Sequence, residues 1–180
     1  MATTTETQPV HFVPKSRQSH ILSQRVTHII AAPHHQEAGT NHWCFYLAIT
    51  PTTSIQLDCQ PSHSIPSTVL SGGSQAYIII SELDYSVAPD VQGKYIVDLA
   101  PDRTITVEDI LNCLVQNGRY RYEFDSRGVG CRFWVTEQVE LFYANGIARD
   151  RVQVETVQAA VKKLWPEGSP LELNQGAYYQ

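Results

Sequence analysis

Apolar residues along the chain fall into two regimes. Between residues 25 and 100 they come in short alternating or unbroken runs bounded by Pro, Gly and Ser, which is the pattern of strands. The runs Arg25–Ala32, His42–Thr50, Ser54–Cys59, Gln75–Leu83 and Lys94–Ala100 predict five of them. Only residues 51–53 separate the second run from the third, so those two strands are expected as antiparallel neighbours joined by a hairpin. Residues 33–41, with Gly39, read as a loop, as does the Pro/Ser/Gly-rich stretch 60–74.

From residue 106 the period lengthens to that of a helix. Val107, Ile110, Leu111, Leu114 and Val115 form one apolar stripe, entered at Thr106 with Asp109 three residues on, and left at Gly118. Residues 119–124, RYRYEF, alternate and predict an edge strand. A helix over 131–143 and a last one over 154–165 follow, and the tail beyond Pro166 carries no assignable pattern. Strands first and helices afterwards is an α+β order, here an antiparallel sheet of about five strands with about three helices. Residues 21–180 form a single globular domain in this reading. Residues 1–20, rich in Thr, Gln and Ser, read as a flexible arm.

Composition narrows the function classes. The 180 residues are 42% hydrophobic and 17% charged, with a net charge of -5. That balance argues against general binding to nucleic acid or anionic lipid, an acylated nucleic-acid end excepted. No apolar run is long enough for a bilayer, and the first twenty residues lack the apolar core of a secretory signal. Cys44, Cys59, Cys113 and Cys131 show no C-x-x-C pairing, so free thiols in a reducing, cytoplasmic setting are expected.

The stretch SRGVGCRFWV, residues 126–135, places Cys131 at the start of a helix behind Gly128 and Gly130. Unpaired N–H groups at a helix start lower a thiol's pKa and can hold an oxyanion. The glycines would let a substrate approach the sulfur without a Cβ in the way. Alternation along residues 42–47 puts His42, Cys44 and Tyr46 on one face and Trp43, Phe45 and Leu47 on the other. Ser54, Gln56 and Asp58 share a face of the following strand, so Asp58 or Gln56 could orient His42. Thiol, imidazole and orienting group are the three parts of nucleophilic acyl chemistry.

HWCFYL at 42–47, with GCRFW far downstream at 130–134, resembles the circularly permuted papain-like proteins of the lecithin retinol acyltransferase type. Their histidine strand comes first and their cysteine helix last, which implies a permuted papain-like fold and Cys131/His42 catalysis. Gly130 stands where that family often has Asn, and its second-strand histidine has no counterpart here. NHW at 41–43 and GCRFW also resemble an uncharacterised family of small fungal proteins, a domain of unknown function, which implies no activity.

The leading expectation is a cysteine-dependent acyltransferase or thiol hydrolase without cofactor, acting on a small-molecule or aminoacyl-type substrate, with an amide-forming biosynthetic role as one version. Asn41, Trp43, Cys44, Tyr46, Arg132 and Trp134 are the expected substrate contacts. Arg119, Arg121, Arg127 and Arg132 read first as a solvated rim with surface pairs to Glu123 and Asp125, and otherwise as a local positive field able to hold a carboxylate or phosphate. Packing explains several of the same residues: a free cysteine is commonly buried, and Trp43 and Trp134 suit a core. His34, His35, His42 and His63 include zinc-ligand types, but their spacing follows no zinc pattern, and no metal is expected. A non-catalytic module binding a small ligand or protein in the same pocket is the alternative from another class.

Overall fold

The computed structural model describes residues 9–37 and 39–180. Its strands are β1 (Val10–Val13), β2 (His28–Gln36), β3 (Thr40–Thr50), β4 (Thr53–Pro66), β5 (Ser74–Leu83), β6 (Tyr95–Asp98), β7 (Tyr122–Phe124), β8 (Lys163–Leu164), β9 (Ser169–Pro170) and β10 (Ala177–Tyr178). The helices are α1 (Gln18–Ser23), α2 (Val107–Gln116), α3 (Cys131–Ala144) and α4 (Arg151–Ala160). The class is α+β, as expected, with more strands than the pattern indicated. One sheet of eight runs in the order β10-β7-β5-β4-β3-β2-β6, with β1 beside β5, and β8-β9 form a separate hairpin. Every pairing is antiparallel except the β1–β5 pair.

Three expectations are corrected. Residues 10–23, assigned largely to a mobile arm, contain β1 and α1; β1 adds to the β5 edge with Val10 opposite Ile78, and Ile21 is fully buried. Residues 1–8 of that arm lie outside the described residues. The predicted loop 33–41 is mostly strand, because β2 continues to Gln36 with His34 opposite His42. The predicted edge strand at 119–124 is an inner one: β7 pairs with both β5 and β10, and Tyr122, Glu123 and Phe124 are buried.

The core lies between the sheet and α2, α3 and α4. Trp43, Phe45 and Leu47 of β3 join Trp134, Val139 and Phe142 of α3 there, with Phe45 5.7 Å from Phe142 between ring centroids. The opposite face of β3 buries Cys44 and Tyr46 in a smaller cluster with Ile30 and Ala32. The alternation read from sequence therefore holds on β3. At α2 the cap also holds: Asp109 N–H donates to Thr106 Oγ1 at 3.2 Å, and Thr106 N–H donates to Asp109 Oδ2 at 2.8 Å.

A gap in the sheet positions the site. Pairing between β3 and β4 stops at Phe45–Leu57, whereas β2–β3 continues to Thr40 and β4–β5 to Pro61. The two central strands therefore diverge over residues 40–44 and 58–61. The N-terminus of α3 enters this opening and brings Cys131 with it. Among the described residues, no helix is long and apolar enough to cross a membrane.

Candidate functional site

Cys131 stands at the first position of α3, and the backbone before it is specialised. Gly130 has φ +157°, a region other residues rarely adopt. A Cβ there would meet Phe124 Cδ1 at 3.2 Å and Tyr122 Oη at 3.3 Å. The Tyr122 hydroxyl donates to Gly130 O at 2.8 Å and accepts the Gly176 N–H at 3.0 Å, fixing the entry into α3. Gly130 thus shapes the chain behind the cysteine; it does not line the cavity, as a substrate-approach role would need. Gly128 does line it.

The sulfur sits between the diverging strands. It lies 3.9 Å from the Asn41 carbonyl oxygen and receives the Trp43 backbone N–H. His42 is its hydrogen-bonding neighbour. Across the gap, His42 Nε2 is 2.7 Å from Asp58 Oδ1, and Gln60 Nε2 donates to Asp58 Oδ2 at 2.5 Å. With Nε2 facing Asp58, Nδ1 is the ring nitrogen open to the thiol. The structure brings Cys131, His42 and Asp58 into one chain of contacts from three separate elements.

Electrostatics separate this cysteine from the rest. Burial pushes its thiol pKa up, but the charge of His42, the His42 hydrogen bond and the Trp43 N–H outweigh it, and the result lies below the ordinary thiol value. For His42, burial favours the neutral ring, while the charges of Cys131 and Asp58 and their hydrogen bonds hold its pKa well above the usual value. Cys44, Cys59 and Cys113 are all pushed up, chiefly by burial. A lowered thiol beside a raised imidazole is the arrangement of a thiolate–imidazolium pair. Cys131 is 7% exposed and the His42 side chain 24% exposed, and both line a cavity of about 370 Å³.

Several expected contacts lie elsewhere. Gln56 Nε2 points to Cys44 Sγ and to the Tyr46 hydroxyl, both at 3.4 Å, so it does not orient His42. Cys44 and Tyr46 also meet His34 Nε2, at 3.4 and 3.0 Å, and neither is among the cavity's lining residues. Trp43 and Trp134 are buried core residues; Trp43 stacks on Tyr95 and the Trp134 indole N–H donates to Arg119 O at 2.9 Å. Asn41 reaches the cavity wall, while its side chain ties Trp165, accepting its N–H at 2.7 Å and donating to its carbonyl at 3.0 Å.

The four arginines do not gather into one field, and Arg127 pairs with Asp125 at 3.0 Å as the rim reading has it. Arg132 is 1% exposed and donates to the carbonyls of Val161, Leu171 and Glu172, pinning the C-terminal segment. Arg119 pairs with Glu137 at 3.7 Å and Arg121 packs over Tyr120; only Arg127 lines the cavity. Gln60 and His63 are wall residues that the sequence reading missed as contacts. Gln60 was within reach of the argument, since the period-two face through Ser54, Gln56 and Asp58 continues to it.

No curated protein and no solved structure matches the chain. A family model described as a domain of unknown function matches residues 26–179, in keeping with the resemblance to an uncharacterised family. The chain belongs to that family, DUF7770.

Proposed function

We propose that this protein is a cysteine-dependent acyl-group enzyme, a transferase or hydrolase working at the Cys131–His42–Asp58 site. The observation that carries the reading is selective: of the four cysteines, Cys131 alone has a lowered thiol pKa, and it alone has an imidazole backed by a buried carboxylate. In the proposed reaction the thiolate attacks an ester, thioester or amide carbonyl and a C–S bond forms. The N–H groups at the start of α3 stabilise the oxyanion. The bond to the leaving group breaks as His42 delivers its proton to that group. Water or an acceptor then attacks the thioester, returning its own proton to His42 and freeing the thiolate.

A cysteine opening a helix set between diverging strands, with the histidine strand earlier in the chain, supports the permuted papain-like reading and the likeness to lecithin retinol acyltransferase relatives. Free, buried cysteines fit a reducing, cytoplasmic setting. The low exposure of Cys131 favours the second reading, a non-catalytic module binding a small ligand beside a buried thiol.

Alkylation separates the two. At about pH 6 iodoacetamide should modify Cys131 while sparing Cys44, Cys59 and Cys113, and His42→Ala should remove that preference. With p-nitrophenyl acetate, the enzyme reading requires a stoichiometric burst of nitrophenolate that Cys131→Ala abolishes. Labelling of Cys131 no faster than the other cysteines would leave the binding module.

A further inference from the structure

The cavity over Cys131 does not end at its own wall. His63, Arg127 and Gly128 bound it on one side and also bound a second cavity of about 190 Å³, lined beyond them by Gly72, Ser74 and Ser126. The three shared residues form a saddle between two chambers. At its crest Gly128 has φ +69°, and a Cβ there would come 3.5 Å from both His63 Cε1 and Pro61 Cγ, narrowing the passage.

His63 is held at this saddle by unusual backbone. Its φ of +57° is the single positive value among the described non-glycine residues. It falls where the β4–β5 register breaks between Pro61 and Pro66, and its N–H donates to Ser74 Oγ at 3.3 Å. Bulges and left-handed non-glycine residues cost stability and concentrate where a side chain is re-aimed at a ligand.

The polar groups around the saddle are balanced in charge. Arg127 Nη2 is 3.0 Å from Asp125 Oδ2 and 3.3 Å from Asn174 Oδ1, so its guanidinium is already compensated. Gln36, Thr40 and Gln60 add neutral donors and acceptors to the first chamber, and among the described residues the only aliphatic side chains there are Pro61 and Val129. A long acyl chain finds no apolar tunnel in such a wall, and a carboxylate finds no unpaired cation.

From this geometry we infer that the site takes an extended, neutral, amide-rich substrate of short-peptide size. It lies across Gly128, with its reacting carbonyl over Cys131 and its other half in the Gly72–Ser126 chamber. The inference rests on the Cys131 nucleophile proposed above.

Three alkylating probes test it: iodoacetamide, iodoacetylglycylglycinamide and N-dodecyl iodoacetamide, each normalised to its rate with free cysteine. In every case the thiolate forms the C–S bond and iodide leaves. The peptide-like probe should exceed iodoacetamide by about tenfold at Cys131, and the dodecyl probe should show no gain. Ser126→Phe, a change at an exposed position of the second chamber, should erase the gain while leaving iodoacetamide unaffected. Equal normalised rates, a gain that survives Ser126→Phe, or preference for the dodecyl probe would overturn the inference. Slow iodoacetamide labelling of Cys131 would instead count against the nucleophile. Occupancy is then read on the wild-type protein by titrating unreactive N-acetylglycylglycinamide: amide NMR shifts at both Gly72 and Gly128 support the two-chamber site, and their absence overturns it.

Discussion

Replacing Asp58 by Asn removes one charge while keeping the shape of the side chain, which makes it the cleanest test of the electrostatics at Cys131. Asp58 is 5% exposed at its side chain and sits 2.7 Å from His42 Nε2. Charge centres on the order of 4 Å apart at an effective dielectric of ~20–40 interact by about 2–4 kcal/mol, or about 1.5–3 pKa units. That stabilisation belongs to the imidazolium. His42's pKa is raised, so the ring stays charged to higher pH; Cys131's is lowered, so the thiolate persists to lower pH. Both shifts favour the ionic form of the pair. Without the carboxylate, His42 loses its hold on the proton and the sulfur takes it back. Asp58 also repels the thiolate directly, but this acts less strongly on Cys131 than the His42 charge does. The net expectation is a fall of at least about tenfold in iodoacetamide alkylation of Cys131 at about pH 6, with mutant and wild type converging above about pH 9. The readout is peptide mass spectrometry across pH, with the three other cysteines as internal references. An unchanged rate at pH 6 would refute the claim that Asp58 sustains the imidazolium.

Gly130→Ala should destabilise the fold by about 2–3 kcal/mol, because φ +157° is strained for alanine and its Cβ meets Phe124 and Tyr122; urea unfolding checks it. Glu123→Gln should cost about 2 kcal/mol at neutral pH by the same measurement. Burial pushes the Glu123 pKa up, but donors from Ser67, Thr68 and Val69 push it further down, leaving it below the usual range. A depressed folded-state pKa means this stabilisation is present above the unfolded value and lost as pH falls through the folded one, so the mutant should show a flatter acid limb below about pH 4. Arg132→Met should cost about 3 kcal/mol by stranding the carbonyls of Val161 and Glu172, and because the guanidinium's charge also acts on Cys131, alkylation in the folded fraction should slow, though by less than in Asp58→Asn. Slowing as large as in Asp58→Asn would return Arg132 to the site.

Much of the sheet was legible because period-two patterning is local. The faces of β3, the β3–β4 hairpin and the capped start of α2 all follow from neighbouring residues. What was missed depends on partners far along the chain. β1 reads as polar arm because its only sheet partner is the edge of β5. β10 has too few residues to show a period, and it exists because β7 offers an edge. The site divides the same way. His42, Asp58 and Cys131 could be named from strand face and helix start. Arg132 and Trp134 were misplaced because the face of α3 that meets the core cannot be told from spacing alone when Gln138 and Arg132 are both buried on it. Of the four cysteines, the reading weighed Cys44 for the site because it shares a strand face with His42. Cys44 does share that face, but its sulfur is engaged by His34 and Gln56 and does not line the cavity.

The divergence of β3 from β4 also explains why one thiol serves two ends. Where β3 and β4 part, the backbone of residues 41–43 loses the partner that a continuous ladder would supply, and buried N–H and C=O groups need replacements. The start of α3 supplies them: the sulfur of Cys131 receives the Trp43 N–H and faces the Asn41 carbonyl. A donated N–H favours sulfur as an anion, as do His42 and the unpaired amides of the first helical turn. The interaction that closes the gap in the sheet is therefore also one that lowers the thiol's pKa. Of the other three cysteines, Cys44 and Cys59 belong to the parting strands β3 and β4 themselves and Cys113 to the interior of α2; none opens a helix, and burial drives each of those thiols in the opposite direction. The lowered thiol pKa at this position follows from sheet topology joined to a helix start, and a cysteine moved by one turn along α3 would keep its burial and lose both causes of that shift.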